Sequence, residues 1–166
     1  MGHTTHPPGF HLVRRDRLQQ EMLQDSYKSK AKLPEPTVCP TCGAVFHGGG
    51  WKWLEKPKEA HQETCPACHR IHDRFPAGYL SLSGEFLAAH EAEIMHLVKH
   101  HEVREKAEHP LQRIMDIEMS EQDCQITTTD THLARGIGEA LHHAYQGELE
   151  YHYNPDQNLL RVSWSR

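Results

Sequence analysis

Two short cysteine pairs constrain this chain more than anything else in it. Cys39-Pro40-Thr41-Cys42 and Cys65-Pro66-Ala67-Cys68 share the pattern CPxC and are separated by 22 residues. Two residues between cysteines let both sulfurs reach one ion from a tight turn, and the proline stiffens that turn. Two such turns supply four thiolates, the closed tetrahedral set of a structural zinc site. Backbone amides of each turn are then placed to hydrogen-bond the sulfurs and spread their charge. A redox pair of the thioredoxin kind needs one CxxC in a βαβ setting, whereas both pairs here are flanked by turn residues. Iron in a four-sulfur site has the same geometry and remains the competitor. His47, His61, His69 and His72 lie close enough in sequence to stand in for a cysteine, but nothing requires them. The fifth cysteine, Cys124, sits in a strand-like stretch and reads as a small buried apolar side chain.

The chain has 166 residues, enough for one ordinary domain or two small ones. Its 37% hydrophobic content is lean, so a small N-terminal unit needs a staple such as a metal. No apolar run approaches the roughly 18 residues of a membrane span. The opening Met1-Gly2-His3-Thr4-Thr5-His6 lacks the apolar core of a signal peptide. The expectation is a soluble, cytoplasmic protein with reduced thiols and no membrane partner. The net charge of −5 is unevenly spread. Residues 1–62 hold nine Lys/Arg and six Asp/Glu, and residues 63–166 hold nine and seventeen. A basic arm on an acidic body is a pattern of polyanion-binding tails and also a common accident.

Organisation follows from the turn residues and the periodicity. Residues 1–36 read as a basic, partly disordered arm, with a thin helix-compatible segment from Leu12 to Gln24 and the extended Pro34 and Pro36 at its end. Residues 37–82 read as a zinc ribbon. Its hairpin is Ala44–His47, a Gly48–Gly50 turn and Trp51–Trp53, and Gly78–Leu82 forms a further strand. Residues 83–110 form a long connecting helix from Gly84 to about Glu108, with Phe86, Leu87, Ile94, Leu97 and Val98 as its apolar face. Residues 111–166 read as a small ββαββ domain. Ile114–Met119 and Cys124–Thr128 flank a turn at Ser120–Asp123. Asp130 caps a helix from Thr131 to about Gln146 that buries Leu133, Ile137, Leu141 and Ala144. Gly147 ends that helix, and Leu149–Tyr153 and Leu159–Trp164 complete the set. The fold class expected is α+β.

Several groups carry candidate chemistry. Arg14, Arg15, Arg17, Lys28, Lys30 and Lys32 give the arm phosphate-binding charge, and Lys52, Lys56, Lys58, Arg70 and Arg74 extend it over the ribbon. Trp51 and Trp53 alternate around Lys52, so both side chains share a face. There they either stack on unpaired bases or pack over the zinc site or the long helix. Glu93-Ile94-Met95-His96 and Glu139-Ala140-Leu141-His142 match Glu-x-x-His, but a di-iron bundle needs two more helices bearing glutamates. His96 and His100, four apart, read as a solvated face before a metal pair. No phosphate-binding glycine loop or nucleophile motif is present. Gly136-Ile137-Gly138, inside a predicted helix, suggests close packing.

The chain resembles a group of bacterial CPxCG zinc-ribbon proteins with an α/β tail. The resemblance is carried by Lys32-Leu33-Pro34-Glu35-Pro36-Thr37-Val38-Cys39-Pro40, Asp73-Arg74-Phe75-Pro76-Ala77-Gly78, and Ile126-Thr127-Thr128-Thr129-Asp130 through Gly147-Glu148-Leu149. That group is similar in turn to the N-terminal part of the archaeal and eukaryotic adaptor for nuclear export of the large ribosomal subunit. The adaptor's amino-terminal region has two zinc sites and is followed by later domains, whereas this chain has cysteines for one. What the resemblance implies is therefore association with a ribosome or ribosomal subunit and rRNA. The combined expectation is a non-enzymatic, ribosome-associated protein with one structural zinc and no small-molecule substrate, acting in assembly, stress or hibernation. A DNA-binding or transcription-associated module and a His-rich metal-dependent enzyme are the alternatives.

Overall fold

The computed structural model describes residues 8–12, 27 and 32–166. Arg14, Arg15, Arg17, Lys28, Lys30 and the helix-compatible segment after Leu12 lie outside the described residues. The chain is mixed α+β, built on two sheets of different size.

The smaller sheet has the strand order β4-β3-β2-β5. Its members are β2 (Thr37–Val38), β3 (Val45–His47), β4 (Gly50–Lys52) and β5 (His61–Gln62). β3 and β4 form the expected hairpin, with Phe46 opposite Trp51 and His47 opposite Gly50. Gly48 and Gly49 both hold positive φ, 61° and 81°. A two-residue hairpin turn of this hand requires that conformation, and side chains other than glycine resist it. β5 runs parallel to β2, which brings the second cysteine pair back beside the first.

A helix, α1 (Pro66–Asp73), begins inside the second CPxC, where the sequence suggested only a turn. Cys65 is its N-cap, Pro66 occupies the first turn, and Arg74 ends it in a left-handed conformation (φ 53°). Proline at the first helical position is a recognised start signal. It went unread because the cap is a cysteine rather than Ser, Thr, Asp or Asn.

The larger sheet has six strands, ordered β1-β9-β10-β6-β8-β7. They are β1 (His11–Leu12), β6 (Gly78–Ser83), β7 (Ile114–Met119), β8 (Asp123–Thr128), β9 (Glu148–Asn154) and β10 (Leu159–Ser165). β6 was grouped with the ribbon by sequence. In the structure it lies at the centre of the large sheet, parallel to β10 and antiparallel to β8. The four strands of the expected ββαββ unit are thus joined across β6. His11, expected to be unstructured, and Leu12, expected to open a helix-compatible segment, instead pair as a strand with Tyr153 and His152 at the β9 edge. Beside them Phe10 and Tyr79 each lie near the Arg161 guanidinium, at 5.0 and 4.7 Å.

α4 (Thr131–Tyr145) packs across one face of this sheet, with Asp130 Oδ1 accepting from the His132 and Leu133 amides at 2.8 and 3.3 Å. Leu133, Ala134, Ile137, Gly138 and Leu141 are buried beneath it, against Leu80, Ile126, Leu160, Val162 and Trp164. Ala144, expected to be buried, is exposed, and the half-buried Tyr145 packs against the core instead, beside Phe86 and Trp164.

The connecting helix is two helices: α2 (Glu85–Ala89) and α3 (Glu91–Glu108), broken at His90. Phe86 is drawn to the end of β10, where its amide donates to Arg166 O at 2.9 Å and its ring lies edge-on to Trp164. Ile94 and Val98 of α3 pack with the α4 side chains instead. Two docking surfaces pull the helix in two directions, and it bends between them. Among the described residues, no helix is long and apolar enough to cross a membrane.

Candidate metal centre

Cys39 follows β2 directly. Its amide donates to Ala44 O and its carbonyl accepts from the Gly43 amide, both at 2.9 Å, closing the first turn. Cys65 and Cys68 are set by the start of α1, where the Cys68 amide donates to Cys65 Sγ at 3.4 Å. The Cys65 amide donates across to Cys39 Sγ at 3.3 Å and ties the two turns together. All four sulfurs lie within 4.8 Å of one another, and Cys42 Sγ and Cys65 Sγ are 3.8 Å apart. Zinc–sulfur bonds of about 2.3 Å in a tetrahedron place sulfurs roughly 3.8 Å apart, so the arrangement fits one ion. No disulfide is present. Cys39, Cys65 and Cys68 are buried and Cys42 is half-buried. Among the described residues these four are the only group of three or more metal-ligating side chains.

The electrostatics of the cluster favour a cation. Burial pushes the Cys65 thiol up, reinforced by its three sulfur neighbours. Burial also raises Cys68, against the pull of Arg113. For Cys39 burial is outweighed by the amides of Cys65, Cys42 and Thr41, which bring it down to about 6. Four ionised sulfurs this close are mutually destabilising unless positive charge is added.

Part of that charge comes from a residue the sequence reading did not single out. Arg113, 8% exposed, reaches the cluster from the segment between α3 and β7. Its Nη1 donates to Cys68 Sγ at 3.2 Å, and Nη2 donates to Cys42 Sγ at 3.1 Å and Cys65 Sγ at 3.7 Å. Nε donates to Pro110 O at 2.8 Å, so the planar fork is fixed from both sides. Thr129 holds the backbone beneath it, accepting the Arg113 amide at 3.0 Å and donating to Leu111 O at 2.6 Å. Burial opposes the guanidinium charge, yet the sulfurs of Cys68 and Cys42 hold its pKa above the ordinary value. No local pattern marks Arg113, because the contact to Cys42 spans 71 residues.

The expected nucleic-acid residues divide. Lys32, Lys52, Lys56, Lys58 and Arg74 are exposed. Arg70 is not available to phosphate: it is 1% exposed, lies 4.3 Å from the Tyr27 ring centre and donates to Phe75 O at 3.0 Å. Its place on the inner face of α1, a helix the sequence reading missed, is the reason. Trp51 is half-buried against the cysteine cluster and edge-on to Phe46 at 5.6 Å. Trp53 remains 38% exposed, but its indole N–H donates to Lys106 O at 2.7 Å and its ring lies 5.9 Å from the Arg113 guanidinium. Both tryptophans therefore face the molecule, one toward the cysteines and one toward the end of α3. His96 and His100 stack 6.2 Å apart on exposed α3 surface, and Cys124 is buried in the large-sheet core. Compared with known proteins, the chain matches no family model, no curated protein and no solved structure.

Proposed function

We propose that this chain is a non-enzymatic zinc-ribbon protein that binds rRNA on a ribosome or ribosomal subunit through its ribbon face. The observation that carries the reading is the closed cysteine set. Four buried or half-buried thiolates leave no open coordination position for a substrate, which is the design of a structural rather than a catalytic zinc. In this reading the small sheet and α1 are the zinc ribbon, and the ion serves as the core that this unit lacks.

Exposed cations support RNA as the partner, with the basic excess supplied by the arm, since the ribbon itself also exposes Glu35, Glu55, Glu59, Glu63 and Asp73. Lys32, Lys52, Lys56, Lys58 and Arg74 are all exposed on or beside the small sheet. The large sheet instead presents, away from α4, a depression lined by Ser81, Ser163, Glu118, Asp123, Glu148 and Glu150. Phosphate is repelled there, so a folded RNA can be engaged in one orientation only. The resemblance to the large-subunit adaptor supports a ribosomal RNA in particular. With the tryptophans packed inward, lysine–phosphate contact rather than base stacking carries the affinity.

Sucrose-gradient sedimentation of lysate tests this. The protein should migrate with ribosomal particles at moderate salt and be stripped at high salt. Changing Lys52, Lys56 and Lys58 to Gln should lower the slope of log affinity against log salt by roughly 0.7–0.9 per lost contact. A protein that stays at the top of the gradient during growth and starvation alike contradicts the reading. Binding that survives RNase but is lost on DNase treatment would favour the transcription-associated alternative.

A further inference from the structure

The Arg113 guanidinium is buried, forked over three of the four sulfurs, and delivered from the opposite structural unit. We infer that Arg113 is a working part of the metal centre: it sets how tightly the ion is held and couples the ion to the docking of the small sheet onto the large one. The inference rests on the metal reading above and adds a residue and a coupling to it.

A dication with four thiolates carries a net charge of −2, and one guanidinium lowers that to −1 inside a poorly solvated site. Charge-assisted N–H···S contacts stabilise the anionic sulfurs, so the loaded, ionised cluster gains more than an empty one does. The ion and the guanidinium are the two positive groups that offset the close-packed sulfurs, so removing either one weakens the hold of the other. The guanidinium reaches the sulfurs across the junction where the Trp53 indole N–H donates to Lys106 O at 2.7 Å. Linkage makes the effect reciprocal: whatever the ion adds to docking, docking adds to ion affinity. Thr129 and Pro110 hold Arg113 from the large unit, so the guanidinium carries the coupling and the loop positions it.

The test uses the full chain and its Arg113→Gln and Arg113→Lys variants, loaded with zinc or with cobalt(II) as a spectroscopic probe. Competition with a chromophoric chelator should show zinc affinity about 10–100-fold weaker in Arg113→Gln, the usual effect of losing an outer contact to a metal ligand. Arg113→Lys, which keeps the charge but not the fork, should fall between. The thiolate-to-cobalt charge-transfer band should move to longer wavelength in Arg113→Gln, because sulfurs without N–H donors give up electrons more readily. A residue that merely held the loop would leave that band in place. If Arg113→Gln does not fold, the band and affinity of Arg113→Lys decide. Unchanged affinity, or weaker affinity with an unmoved band, overturns the inference while leaving the metal site standing. A wild-type chain that takes up neither zinc nor cobalt overturns both.

Discussion

A single histidine shows how much of this structure is negotiated between side chains far apart in sequence. His101 of α3 lies against Gly136 of α4, where a Cβ would come within 2.8 Å of Nε2. Burial holds its pKa below the ordinary 6.5. Arg104 and His100 on the same helix add to the depression, while Glu105 and, from α4, Glu139 oppose it. The unfolded chain therefore takes up this proton at higher pH than the native one. Between the two pKa values the unfolded state binds more protons, and stability falls as pH drops below about 6.5. Urea unfolding at pH 7.5 and pH 5 should show that loss in the wild type and a smaller one in His101→Gln. Equal losses in the two proteins would mean that His101 is solvated in practice. The same kind of long-range dependence governs Arg113, whose charge is useful only because the cysteines face it.

At the scale of elements, α4 is the piece that the sequence describes best. Its Asp130 cap, its apolar spacing through Leu133, Ile137 and Leu141, and the Gly147 stop are all local signals, and the structure reproduces them. Gly138 belongs to that helix for a packing reason: a Cβ there would come within 2.7 Å of Val162 Cγ1 and 3.2 Å of Leu149 Cδ1. Gly138→Ala should lower unfolding stability by about 1–2 kcal/mol, overpacking outweighing the roughly 1 kcal/mol that alanine gains in helix propensity. Equal or higher stability in chemical denaturation would show that the sheet yields. The CPxC pairs and the Gly-Gly hairpin were legible for the same reason as α4, being short-range patterns. The partners of β6, the bend at His90 and the place of Arg113 were not. Each depends on what lies opposite, and alternation or periodicity records only which face of an element is apolar. The cation–π contact of Arg70 with the ring of Tyr27 escaped for a related reason, since α1 itself began from an unfamiliar cap.

At the scale of the whole molecule, the two sheets are organised around the cysteine cluster more than around a shared apolar core. Leu111, Trp51 and the four cysteines form a small cluster separate from the large core beneath α4. In a 166-residue chain with lean hydrophobic content, an ion bound by these cysteines would stand in for side chains that the smaller unit lacks. The free surface of the large sheet carries carboxylates, Glu118, Asp123, Glu148 and Glu150 among them, while the cysteine-bearing unit exposes both lysines and carboxylates. The central claim is therefore the ion itself. Elemental analysis of the full chain, purified without chelator, should find about one zinc per chain, and Cys68→Ser should lose it together with the order of residues 37–76. A chain that stays fully folded while carrying neither zinc nor iron would contradict the account at its foundation.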